Sequence, residues 1–184
     1  MNRRTSIQKR KRVFVGCEGE SEQSYIAVIQ RQLGKDSPFH LVARVLNGGD
    51  PLALIEAAKK LLRAERVKQR DPFVRRFVLL DADLLGRSAE RDARCYQLAA
   101  VEKITAVWQT PCHEAMLLRH LPGCASRRPT SSSASLTLLQ REWPQYKKNM
   151  PAQDLEQRIH LEALRQAAAN RLEIEPLLRF LQIG

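Results

Sequence analysis

An α/β fold with a mostly parallel sheet, helices on both faces and a helical C-terminal segment is predicted by three observations. Short apolar runs alternate with helix-period segments from Val13 to Leu121, in the order strand–helix–strand–helix–strand–helix–strand. Helix boundaries are marked by Gly34, Asp50 and Pro51, each at a position where its residue type starts or stops a helix. The chain has 184 residues, 43 % hydrophobic and 28 % charged, which suits one globular domain with a buried core.

The elements follow in order. Val13–Gly16 is a short buried strand. Ser21 to Leu33 carries Tyr25, Ile29 and Leu33 at a spacing of four, one face of a helix, and Gly34 stands at its C-cap. Phe39 to Leu46 reads as the second strand. "NGGDP" is a turn, with Asp50 as N-cap and Pro51 in the first helical position. The helix it starts runs to about Lys68, with Leu52, Ile55, Ala58 and Leu62 as its apolar face. "RFVLLDAD" is a compact apolar strand ending in two acids, and a third helix spans Ser88 to Val101. "ITAVWQT" is the fourth strand, closed by Pro111, and Cys112 to Leu121 forms a short helix. "RRPTSSSAS" reads as a flexible loop by composition. The remainder is helical, mainly Gln153 to Leu172, with a Pro176–Leu181 tail. The organisation is therefore a basic flexible arm over residues 1–12, an α/β core over 13–121, and a loop plus helical segment over 122–184 packed on that core.

The formal net charge of +11 argues for a polyanionic partner, most simply nucleic acid, DNA or RNA. Arg10, Lys11 and Arg12 close an N-terminal basic run suited to touching phosphates without reading sequence. Only 5 % of residues are aromatic, which argues against a base-stacking platform. No apolar run approaches the ~18 residues of a membrane span. The apolar stretch after the basic N-terminus, Val13 to Val15, is too short for a secretion signal, so a cytoplasmic protein is expected. The four cysteines form no C-x-x-C pair and read as free thiols. Cys112 and His113 are adjacent and would point apart on a helix, which disfavours a zinc site with His120 and Cys124. The four histidines have no triad-like context.

Against this basic background, carboxylates gather at strand ends. Glu18, Glu20 and Glu22 follow the first strand, Asp81 and Asp83 the third, and Glu114 the fourth. Ligands of parallel sheets sit outside the carboxyl ends of the strands. Asp81 and Asp83, two residues apart, project to one side if strand geometry persists. Glu22, four residues after Glu18, can point back over the same turn. Magnesium is usually held by one or two carboxylates plus waters and phosphates. Four carboxylates suffice for two ions about 4 Å apart, the arrangement used in phosphoester cleavage. The metal candidates are Glu18, Glu22, Asp81 and Asp83, with Glu20 solvated and Mg2+ or Mn2+ as the ion.

"EG" after a first strand and "DAD" after a later one resemble the Toprim domain of topoisomerases, primases and related nucleases. The chain more closely resembles the RloB-like proteins, a prokaryotic group related to Toprim. The residues that carry this are "CEGESEQSY", "NGGDPLALIEAA", "TPCHEAMLLRHL" and "YKK" at Tyr146–Lys148, in order, over residues 12 to 165. The resemblance implies a Toprim-like core and a divalent-metal-dependent nuclease in prokaryotic anti-phage defence. It matches Glu18 to the Toprim glutamate, Asp81 and Asp83 to its D-x-D pair, Glu22 to the acid four residues on, and Glu114 to the acid after the fourth strand. Lys147 stands as the late lysine that offsets transition-state charge, with Lys148 as alternative and as a phosphate contact. It also implies an ABC-type ATPase partner, and this chain has no P-loop of its own. Where the family commonly has a further acid after D-x-D, this chain has Leu84 and Leu85. That departure supports the alternative function, a catalytically weak Toprim-like nucleic-acid-binding subunit.

Overall fold

The computed structural model describes residues 9–68 and 70–184. Four strands form one all-parallel sheet in the order β2-β1-β3-β4: β1 (Lys11–Cys17), β2 (Phe39–Val45), β3 (Arg75–Asp81) and β4 (Thr105–Gln109). Between them run α1 (Glu20–Gln32), α2 (Pro51–Val67) and α3 (Ala89–Val101). After β4 come α4 (His113–His120), α5 (Ser132–Glu142), α6 (Ala152–Leu155), α7 (Leu161–Ala169) and α8 (Glu175–Phe180). The fold is Rossmann-like and doubly wound. Its strand order reverses between β1 and β3, and the carboxyl ends at such a switch point are where ligands of these sheets bind.

Strand alternation builds two cores. Val13, Val15 and Cys17 of β1 and Phe77 and Leu79 of β3 face α1, α4 and the C-terminal helices. Phe14, Val78 and Leu80 face α2 and α3. Buried on both faces, these strands read as continuous apolar runs rather than alternating ones. Gly16 is needed where β1 is most crowded, since a Cβ there would lie 2.9 Å from Leu46 Cδ1 and 3.1 Å from Val78 Cγ2.

The helix starts follow local chemistry. Asp50 accepts the Ala53 N–H at 2.9 Å, with Pro51 at the first position of α2. Ser88 caps α3 at 3.4 Å. Glu20 and Glu22 sit in the first turn of α1, where the helix dipole favours acids.

Several expectations are corrected. β1 begins at Lys11, so Lys11 and Arg12 belong to the sheet rather than to a flexible arm; residues 1–8 lie outside the described residues. β3 closes at Asp81, so Asp83 falls in the turn beyond it. The serine-rich stretch is not all loop: Ser131 caps α5 by accepting the Ala134 N–H at 3.2 Å. The composition signalled flexibility, but the same serines are N-cap residues. The long helix expected over 153–172 is broken at His160, whose backbone is extended. Ile159 at that break is fully buried, and Glu156 pairs with Arg31 of α1 at 3.2 Å, contacts that a straight helix does not have to satisfy.

Candidate active site

The two central strands deliver the acids to the switch point. After Cys17 the chain turns through Glu18 and Gly19 into α1. That turn is pinned to the loop after β2, with Leu46 N–H donating to Cys17 O at 2.8 Å and Gly48 N–H to Glu18 O at 3.1 Å. The turn after β3 is pinned to the loop after β4: Ala82 N–H reaches Gln109 O at 2.9 Å and Pro111 O at 3.0 Å, and Asp83 N–H reaches Pro111 O at 3.1 Å. Both acidic turns are thus held by main-chain hydrogen bonds to neighbouring loops, and their geometry does not depend on the carboxylates themselves.

Asp81 continues the side of β3 that carries Phe77 and Leu79, towards α1 and α4. Its Oδ1 is buried without a hydrogen-bond partner. Burial first, then the charges of Glu18, Glu22, Asp83 and Glu114, push its carboxyl up from 3.8 to about 9. Glu18 is raised to about 6 by burial, then by Glu22 and, less, by Asp83, with the Asp81 main-chain N–H pulling the other way. Acids from the turn after β1, from α1, from the turn after β3 and from α4 therefore all act on Asp81 at the end of β3. Glu22 is buried and accepts the Gly19 N–H at 3.1 Å, so one of its oxygens serves the start of α1. Asp83 is exposed and accepts from Ser132 Oγ at 3.0 Å. Glu114 is buried, receives the Cys112 thiol at 3.3 Å and lies 3.6 Å from the Lys148 ammonium.

The basic candidates separate. Lys148 stands over the acids, while Lys147 is exposed on the same turn and its charge is not the one paired with Glu114. Arg10, Lys11 and Arg12 lie at the opposite, amino end of the sheet and are not part of this cluster. Arg12 is paired with Glu65 at 2.6 Å and donates to Asp71 O at 2.8 Å. Parallel strands put the two ends of β1 a full strand length apart, so the basic run and the acids it precedes in sequence cannot meet.

A buried polar layer underlies the acids. His113 Nδ1 accepts from Gln109 Nε2 at 2.7 Å, which leaves its Nε2 buried and unpartnered. The Tyr146 hydroxyl is likewise buried with no partner in hydrogen-bond geometry; burial, then Glu114 and Glu22, push it well above the ordinary tyrosine value. His120 accepts from Tyr25 Oη at 2.9 Å and donates from Nδ1 to Met116 O at 2.8 Å, and burial lowers its value to about 4, so it is a neutral core group. Ser132 and His113 were not singled out as site residues from sequence. Ser132 sat inside a stretch that reads as loop, and His113 carries no spacing signal.

Among the described residues no three His, Cys, Asp or Glu side chains form a ready-made metal cage. The donor set nevertheless fits a hard, hydrated divalent cation. It consists of carboxylates, Asp81 presents an orphaned buried oxygen, and such an ion takes only one or two carboxylates directly. The raised values of Asp81 and Glu18 reflect burial first and then repulsion from neighbouring acids, and a bound cation would relieve the repulsion.

These shifts fix a pH dependence. A carboxyl whose value is raised on folding stabilises the fold fully below its unfolded value, here 3.8 for Asp81, and that contribution is lost as pH rises through about 9. Without divalent ions, thermal stability should fall from mildly acidic to alkaline pH. Asp81→Asn should flatten that fall, as measured by melting temperature against pH. A slope identical in both proteins would place the responsible group elsewhere.

No helix among the described residues is long and apolar enough to cross a membrane. No curated protein and no solved structure matches the chain. The profile of the RloB-like protein family matches residues 13–177, from β1 into α8. That span holds every acid of the cluster and Lys148, and by this match over most of its length the chain belongs to the RloB-like family.

Proposed function

We propose that the protein is a divalent-metal-dependent, Toprim-like nuclease that cleaves phosphodiester bonds, acting in prokaryotic defence against phage or foreign DNA. The observation that carries this reading is the convergence of Glu18, Glu22, Asp81, Asp83 and Glu114 at the switch point, with Asp81 Oδ1 buried and unpartnered. Clustered acids cost stability and give a binding module nothing, whereas a metal site requires them. Glu18, just after β1, and Asp81, at the end of the adjacent β3, with Asp83 from the turn, would hold Mg2+ or Mn2+. The bound ion would supply Lewis-acid polarisation of a phosphoryl oxygen and a more acidic water. Glu22 both closes the start of α1 and adds negative charge to the site. Lys148, 63 % exposed at its side chain, can swing from Glu114 to a non-bridging phosphate oxygen. Lys148→Met should therefore lower cleavage more than binding, and Lys147→Met should do less, read from kcat and Kd separately.

A second reading has its own observation. Leu84 and Leu85 follow Asp83, and no three-ligand cage is preformed among the described residues. This favours a catalytically weak nucleic-acid-binding subunit working with an ABC-type ATPase.

Metal binding is tested by melting curves. Mg2+ or Mn2+ should raise the melting temperature by selective binding to the folded state, which stabilises it by about 2.7 kcal/mol at a hundredfold excess over Kd. Asp81→Ala should lose that shift. Retention of the full shift in this variant would move the ion away from β3.

A further inference from the structure

The amino end of the sheet carries a second charged feature, distant from the acids. Two neighbouring cavities open there, sharing Lys9. One, of about 520 Å3, is lined by Lys9, Arg10, Lys11 and Lys35, with Asp36 as its acid. The other, of about 650 Å3, adds Arg12 and Arg70, with Asp71 as its acid, and runs along the open edge of β2 as far as Arg44, which is in register with Gly16 near the carboxyl end. At this end Lys9, Arg10, Lys11, Arg12, Lys35 and Arg70 meet the carboxylates of Asp36, Asp71 and Glu65, a formal excess of three positive charges.

The surface is built rather than incidental. The Arg10 guanidinium donates to the carbonyls of Gly34 and Lys35, which anchors the chain end of α1 beside β1. Arg12 is clamped by Glu65, by Asp71 O and by the Phe73 ring, 4.3 Å from its centroid. Arg70 shares Glu65 at 3.1 Å. Arg12 and Arg70 thus set the wall, while Lys11 and Lys35 are exposed at the rim. The surplus positive charge is carried at the rim by Lys11 and Lys35, and it suits an anionic partner.

We propose that this basic end is a phosphate-backbone anchoring site for nucleic acid, separate from the acid cluster. The proposal rests on the nuclease reading for the identity of the second end, and the charge complementarity stands without it. Lys11 and Glu18 lie at opposite ends of β1, about 23 Å apart at ~3.3 Å per residue. A stacked strand advances ~3.4 Å per nucleotide, so about seven nucleotides are the least that can touch both ends. The consequence is a length requirement. Short fragments engage one end only, and a longer or folded nucleic acid is gripped at the amino end while another part lies over the acids.

The test uses fluorescence-anisotropy binding of labelled oligonucleotides of about 4, 8, 16 and 24 nucleotides, with Ca2+ in place of Mg2+ or Mn2+ so that the acid end is neutralised, across a salt series. The wild type is compared with the double variant Lys11→Glu/Lys35→Glu and with Lys60→Glu/Arg63→Glu. The second pair makes the same charge change at exposed positions of α2, outside both cavities. Affinity should rise sharply above about 8 nucleotides in the wild type. The Lys11/Lys35 variant should lower the slope of log K against log salt by roughly 1.4 for single strands, at ~0.7 per lost phosphate contact. The α2 variant should lower it by markedly less. Equal effects of the two variants would reduce the surface to net charge and overturn the anchor. Binding by the wild type with no dependence on length would do the same. No binding of any oligonucleotide by the wild type would sink both the anchor and the nuclease reading, whereas binding and anchoring without metal-dependent cleavage would sink only the latter.

Discussion

If the proposed nuclease site is right, Glu18→Gln and Asp83→Asn should each lower metal-dependent nicking of DNA or RNA by about 100-fold or more, while metal-free binding survives. A 100-fold loss corresponds to ~2.7 kcal/mol of transition-state stabilisation. Both substitutions keep side-chain shape and delete one unit of negative charge. The loops that carry them are held by main-chain bonds, Gly48 N–H on Glu18 O and Asp83 N–H on Pro111 O, so the backbone should stay in place. Folding should be unharmed or slightly improved, because each change relieves repulsion on Asp81. The combination of higher stability with lost cleavage is the signature of a functional acid, and a purely structural acid would show the reverse. If the wild type shows no cleavage with Mg2+ or Mn2+, alone or with a cognate ATPase, the binding-subunit reading replaces the nuclease.

Arg119→Ala should lower stability by about 3–5 kcal/mol, the usual loss when one partner of a buried ion pair is removed. In a domain of this size that is a fall in melting temperature of roughly 10 °C. Arg119 is 2 % exposed, pairs with Glu173 and donates to Thr110 O at 2.9 Å. It therefore ties the segment before α8 to the loop after β4. That loop carries Pro111, whose carbonyl holds the Asp83 turn, so cleavage should fall together with stability. Arg119→Met/Glu173→Leu, which replaces the pair by apolar groups, should recover much of the stability. Urea unfolding of the three proteins checks this. A loss under 1 kcal/mol in Arg119→Ala would mean that solvent reaches the pair.

Much of the core was legible because its signals are local. Asp50 and Pro51 announce α2, and Val13–Val15 and Phe77–Leu80 are apolar runs that only a strand covered on both faces can bury. The acids Glu18, Asp81 and Glu114 were legible as candidates because each follows a strand, and a parallel sheet places every strand's carboxyl end on one side. Boundaries that failed were those where one local cue has two meanings. The serines at 131–133 read as flexible until Ser131 caps α5 and Ser132 reaches Asp83.

Lys147 and Lys148 show the limit most directly. Adjacent in sequence and identical in chemistry, they are separated only by the direction in which the turn after α5 presents each side chain, and it is Lys148 that meets Glu114. The same holds for Arg10, Lys11 and Arg12, whose nearness in sequence to Glu18 becomes a strand length of separation. By itself the sequence determined the alternation of strands and helices through α4, the parallel sheet, and the acids at its carboxyl end, because these follow from periodicity, caps and connection order. The tertiary structure alone decided which charges share a site, which carboxyl loses its water, and which cations are spent on Glu65 and Glu173. Those depend on distances and desolvation between segments far apart in the chain, and no local pattern encodes them.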